Sequence, residues 1–131
     1  MNADRSFAAR TYDMWRSHHE RARAAGAPLN YTVGDLRAVV QAALDNPCPY
    51  CGALLHGANF SADHETPTSR GGSYGIGNVI ICCRCCNQAK HTLDGPEFRA
   101  LMALARAWPA PSRANLICRL RAGAKAIRKR S

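Results

Sequence analysis

The sequence lacks any apolar run of the roughly 18 to 20 residues that a bilayer-crossing helix needs. Where a secretory signal would place its apolar core, it has Asp4 and Arg5. These absences predict a soluble, unprocessed, cytoplasmic chain with no membrane partner. Acidic residues are also scarce: 9 Asp plus Glu face 18 Lys plus Arg, for a formal net charge of +9 and a pI near 9.7. That excess predicts an acidic partner, with nucleic acid first. No repeat and no low-complexity linker divides the 131 residues, a length that does not hold two full-size domains. One domain spanning 1–131 is expected.

The shortage of acid is sharpest at the C-terminus. Ser112 to Ser131 contains Arg113, Arg119, Arg121, Lys125, Arg128, Lys129 and Arg130 and no Asp or Glu, while the rest of the chain holds 11 basic and 9 acidic side chains. The body is therefore near neutral, and the chemistry is expected there, with the tail supplying the positive field. Seven cysteines in a chain without a secretory signal point to metal ligation and away from a disulfide framework, because cytosolic thiols stay reduced.

Hydrophobic spacing predicts helices at both ends. Arg5 to Ala25 reads as one long amphipathic helix with Phe7, Ala8, Thr11, Met14 and Trp15 on one face, ended by Gly26, Ala27 and Pro28. Thr32 and Asp35 have capping-box spacing for a second helix to about Leu44, whose buried stripe is Leu36, Val39, Val40 and Ala43. Residues 1–46 thus form a helical N-terminal scaffold. The centre is different. Leu54–His56 and Asn59–Ala62 are expected to pair as a hairpin across Gly57 and Ala58, and Pro67 with Gly71, Gly72, Gly75 and Gly77 implies an irregular loop. Val79 to Ile81 reads as a brief strand or a buried connection, and helix resumes near Cys86. Asp94, Gly95, Pro96 and Glu97 start another helix with Phe98, Leu101, Met102 and Ala105 inward. Trp108, Pro109 and Pro111 break it, and Ser112 caps a last basic helix with Leu116, Ile117 and Leu120 inside.

Cys48 and Cys51 are spaced to face one metal from a tight turn, and a second pair lies about 30 residues on, within Cys82, Cys83, Arg84, Cys85 and Cys86. Two such pairs predict a tetrahedral four-cysteine zinc site. Spacing alone leaves the second pair open, since Cys82 with Cys85 and Cys83 with Cys86 are equally separated. Cys118 stands alone on a helical pattern and is expected to be a buried or half-buried thiol.

Between and beyond these pairs lie Asp63, His64, Glu65, Thr66, Pro67, Thr68, Ser69, Arg70, Gly71 and Gly72, then Asn78, Cys83, Cys86, Asn87 and Lys90. This ordered array, spanning about Cys48 to Phe98, resembles the HNH nuclease family. The resemblance implies an α+β fold with a small ββα-metal core over 47–98, flanked by the N-terminal helices and by C-terminal helices with a basic tail over 99–131. It also implies a register for the cysteines, because the family's second pair runs directly into its Asn or His ligand. Cys48, Cys51, Cys83 and Cys86 would then hold structural Zn²⁺.

The implied activity is hydrolysis of DNA phosphodiesters to 5′-phosphate and 3′-hydroxyl ends. Phosphodiester hydrolysis needs a base for water, a cation against developing charge and groups that fix the geometry. By resemblance His64 is the base, Asp63 and Asn87 offer hard oxygens to Mg²⁺ or Mn²⁺, and Asn78 braces the loop that orients the base. Asn87 stands where the family often has His, which favours the harder ions. His91, four residues later, shares the Asn87 face on a regular helix, and the resemblance gives it no role. Arg70, Arg84 and Lys90 are expected at phosphates, and Arg121, Lys125, Arg128, Lys129 and Arg130 along the substrate backbone. RNA stays open beside DNA, and the chain is read as a stand-alone nuclease of modest specificity or a subunit of a larger nuclease complex. The competing reading is a zinc-stabilised DNA-binding module without catalysis, which needs only the cysteines and the tail.

Overall fold

A computed structural model describes the backbone of residues 3–27 and 29–130 and the side chains of 7–27 and 29–127. Pro28 and the side chains of Asp4, Arg5, Arg128, Lys129 and Arg130 lie outside the described residues. The architecture is α+β: α1 (Ala3–Ala24), α2 (Val33–Ala43), β1 (Phe60–His64), β2 (Val79–Cys83), α3 (Arg84–Lys90), α4 (Gly95–Ala105) and α5 (Ala110–Arg130). Among the described residues no helix is long and apolar enough to cross a membrane.

The helix starts follow local chemistry. Thr32 accepts from the Asp35 amide at 3.1 Å while Asp35 accepts from the Thr32 amide at 2.9 Å, so both orphan donors are satisfied reciprocally. Asp94 and Glu97 repeat the device at the start of α4. The last helix begins at Ala110, ahead of the expected Ser112. Pro111 falls in its first turn, where a missing N–H costs no intrahelical bond, and the Ser112 and Arg113 amides donate to the Pro109 carbonyl. The expected boundary at residue 98 falls inside α4, so one continuous helix joins the central segment to the C-terminal one.

The expected hairpin over 54–62 does not form. Asn59 closes this stretch as a turn, its Oδ1 accepting from the His56 amide and its Nδ2 donating to the Leu54 carbonyl, and Leu54 makes only an isolated bridge to Pro47. The strand that follows pairs antiparallel with β2 instead, Phe60 opposite Cys83 and His64 opposite Val79. Below the sheet, Asn78 ties the intervening loop together. Its Oδ1 accepts from the Thr66 amide, and its Nδ2 donates to the Thr66 and Ser73 carbonyls. Gly72 is required there, since a Cβ would stand 1.9 Å from the Thr66 carbonyl oxygen.

The core joins α2 (Leu36, Val40), the 47–55 loop (Tyr50, Leu55), both strands (Phe60, Ile81) and α4 (Phe98, Met102). Phe7 of α1 packs on Phe60, and Tyr50 meets Phe98 edge to face at 5.0 Å. α3 lies against both strands on one side and against α5 on the other. The edge of β1 away from β2 is lined by side chains. The Arg84 amide bonds the Asn59 carbonyl, and the Glu65 amide bonds the Asn78 carbonyl. In an antiparallel pair of this register, Phe60, Ala62 and His64 therefore turn their backbone groups outward. Arg10 Nη2 donates to the Phe60 carbonyl at 2.6 Å, His18 lies against the Ala62 carbonyl, and Lys90 Nζ donates to the His64 carbonyl at 3.0 Å.

Candidate active site

Two centres sit on opposite sides of the junction between β2 and α3. On one side, the ligand atoms of Cys48, Cys51, Cys83 and Cys86 all lie within 4.8 Å of one another. Zn–S bonds of about 2.3 Å in a tetrahedron put sulfurs about 3.8 Å apart, and Cys51 Sγ is 3.7 Å from Cys83 Sγ. The donor set and spacing therefore fit zinc. Backbone amides of Cys83 and Cys86 point at Cys48 Sγ and Cys83 Sγ, each at 3.4 Å, and would offset thiolate charge. Cys82 alternates to the other face of β2, where burial, with Asp63 adding to it, pushes its thiol above the ordinary range. Cys85 is exposed. Cys118 is exposed as well, contrary to expectation, because it faces away from the side of α5, with Ile117 and Leu120, that packs on α3.

On the other side a cleft of about 500 Å³ follows the outer edge of β1 between α1 and α3. Asp63 and His64 from β1 line it, Arg84 and Asn87 from α3 face them, and Ser17, His18 and Arg21 form the opposite wall. Asn87 Nδ2 donates to Ser61 Oγ at 2.6 Å, which leaves its Oδ1 uncommitted among the described residues. Asp63 Oδ2 is buried and accepts no well-aligned hydrogen bond, but the Lys90 ammonium lies 3.0 Å from it. The other Asp63 oxygen has no partner among the described residues. Two hard oxygens lining one cleft suit a divalent cation that keeps most of its water.

His64 is 6% exposed, and its Nε2 is buried with no partner among the described residues. Burial lowers its pKa, opposed by Asp63 and assisted by Arg21 and Lys90. Burial thus favours the neutral ring, the form a base requires, and Nε2 is left without a protein partner among the described residues. Tyr74 meets it edge on at 5.7 Å, and the His18 ring lies 4.6 Å away on another side.

The cleft brings together Asp63, His64, Asn87 and Arg84 and leaves other expected residues elsewhere. Asn78 lies behind it and holds the loop that follows His64. Arg70 points at Glu97 and the Thr92 carbonyl, away from the cleft. Lys90, expected at a phosphate, is 1% exposed, and its ammonium is taken up by Asp63 and the His64 carbonyl. Arg121 bonds Gln88 of α3 at 2.7 Å, and Lys125 is exposed on α5. His91 lines the cleft, and Glu65 pairs with Arg99 at 2.7 Å. Sequence reasoning passed over His18. Its signal was its place on the stripe of Thr11, Met14, Trp15 and Ala22, where a helix that only covers a core would carry an apolar residue.

Residues 48–101 match the family model for HNH endonuclease, a match that takes in both cysteine pairs, both strands and α3. The likeness to HNH endonucleases is carried by this segment, and α1, α2 and α5 lie outside the match. No curated protein matches the chain.

Two outcomes follow from these centres. Metal analysis of purified protein is expected to give one zinc per chain, and its exhaustive chelation to remove the cooperative melt, since ligation by four cysteines contributes on the order of 10 kcal/mol to folding; an unchanged melt would refute a structural role. Lys90→Ala is expected to cost about 3–5 kcal/mol in denaturant unfolding because it strands the Asp63 carboxylate.

Proposed function

We propose that the protein is a metal-dependent endonuclease that hydrolyses DNA phosphodiester bonds, leaving 5′-phosphate and 3′-hydroxyl ends. The observation that supports this most is the meeting of an uncommitted neutral His64 with the free oxygens of Asp63 and Asn87 in one cleft. His64 takes the proton of the attacking water. Mg²⁺ or Mn²⁺ held by Asp63 and Asn87 would offset the charge that develops on the phosphate and on the leaving oxygen. Lys90 compensates the inner oxygen of Asp63 and holds the His64 carbonyl, so one buried cation orients both residues. Asn78 keeps the loop beyond His64 in place, and Arg84 at the cleft wall faces a substrate phosphate.

Arg121, Lys125, Arg128, Lys129 and Arg130 supply sequence-independent contacts to the nucleic-acid backbone. α5 carries them and packs on α3, so the basic helix is attached to the same element that brings Asn87 to the cleft. A binding module without catalysis would need the cysteines and this helix but not the constellation around His64.

Plasmid nicking in Mg²⁺ or Mn²⁺ tests the reading. His64→Ala is expected to lower the rate by about 10²- to 10⁴-fold, the range for a lost general base. Asp63→Ala and Asn87→Ala should raise the metal concentration required, and equal nicking by wild type and His64→Ala rejects the assignment. Binding with no cleavage in any divalent metal would instead favour the non-catalytic module. Replacing Lys125, Arg128, Lys129 and Arg130 by Gln should flatten the plot of log affinity against log salt by roughly 0.9 for each phosphate no longer neutralised. Substitution is the cleaner test than deletion, because Ala124 on the same helix is buried.

A further inference from the structure

His18 is the one buried histidine besides His64 among the described residues, and α1, which carries it, lies outside the family match. It is 5% exposed, and its Nδ1 lies 2.9 Å from the Tyr31 hydroxyl. The other polar neighbour of the ring is the Ala62 carbonyl, two residues before His64 on the same outward-facing edge of β1. Burial, with the His64 and Arg21 charges assisting and the Ala62 carbonyl opposing, lowers its pKa to about 4. Burial also pushes the Tyr31 phenol up to about 12. The Tyr31 hydroxyl is therefore protonated beside Nδ1, and the His18 ring stays neutral between it and the Ala62 carbonyl. Its Nδ1 is engaged by Tyr31 and its ring is buried away from solvent. It is unsuited to be a second base.

We infer that His18 is a positioning residue for the nuclease reaction: fixed by the Tyr31 hydroxyl and the Ala62 carbonyl, its ring packs on His64 and sets the orientation of the base. The support extends one layer further. Trp15 Nε1 donates to the Tyr31 carbonyl at 3.0 Å, so Tyr31 is held on α1 by its backbone while its side chain holds His18. Tyr74 meets His64 edge on. Between these two rings the imidazole of His64 has little freedom to turn. A base that is held in place avoids the loss that comes from misorientation.

This inference rests on the nuclease reading, and the experiment separates the two. His18→Ala and Tyr31→Phe are compared with wild type for kcat and KM on plasmid DNA, for zinc content and melting, and for the ¹⁵N signals of the His64 ring. Tyr31→Phe removes a single hydroxyl and serves even where His18→Ala fails to fold. Expected is a fall in kcat with KM unchanged, on the order of 10- to 100-fold for His18→Ala and smaller for Tyr31→Phe. The His64 ring signals should shift while zinc content stays at the wild-type value. Wild-type kcat in both variants overturns the inference. So does a rise in KM alone, or a fall in kcat with unmoved His64 signals, since the loss would then not pass through that ring. Should wild type cleave no DNA, the nuclease reading falls, and the His64 signals alone decide whether His18 orients it.

Discussion

Everything at the cleft depends on how α3 is held. It has seven residues, two turns, too few to persist as a helix by its own propensity. At its start Cys83 and Cys86 join Cys48 and Cys51, which fastens the helix to a turn some 35 residues earlier in the chain. At its end Lys90 is buried against Asp63 and the His64 carbonyl, and along its outer side it packs on α5. Asn87 lies between these two anchors. A side chain placed by the cysteine cluster at one end and by a buried ion pair at the other is fixed relative to β1. The cysteine cluster lies outside the cleft and still fixes where Asn87 stands in it.

The buried pair carries a cost that explains its geometry. Two charges withdrawn from water are tolerated only where further polar contacts complete them, and removing one partner is far worse than never having had the pair. Lys90 therefore divides its ammonium between a carboxylate and a backbone carbonyl of adjacent residues, and the Asp63 oxygen turned the other way is left for solvent or a cation. The arrangement makes Asp63 both a core residue and a cleft residue. Its side chain is 18% exposed, intermediate between the two.

Features that depend on neighbours in sequence were legible. The capping boxes at Thr32 and Asp94 follow from three-residue spacing, and the cysteine pairs from two-residue spacing, so both could be read directly. The ordered run through Asp63, His64, Asn78 and Asn87 led to the family that matches residues 48–101. The strand partner was not legible, because two plausible short strands lay nearby and only the long-range register with 79–83 buries Phe60 and Ile81 together. Lys90 was misread for a related reason: a lysine reads as a solvated charge until its carboxylate partner is placed. His18 was passed over because a helix predicted from its apolar stripe says nothing of which strand edge it meets. The role of α1 as a cleft wall is visible only once β1 is built.

The occupied edge of β1 has a bearing on any attempt to isolate the segment that matches the family model. Cutting the chain to residues 48–101 would keep the cysteines, both strands and α3, but would remove Arg10 and His18, which cover the outward carbonyls of Phe60 and Ala62. A bare edge beside Phe60 is a template on which a second molecule adds its own strand, the first step of edge-to-edge aggregation. α1 thus covers an edge that would otherwise invite self-association, and any shorter piece of this chain that keeps the edge covered must include that helix.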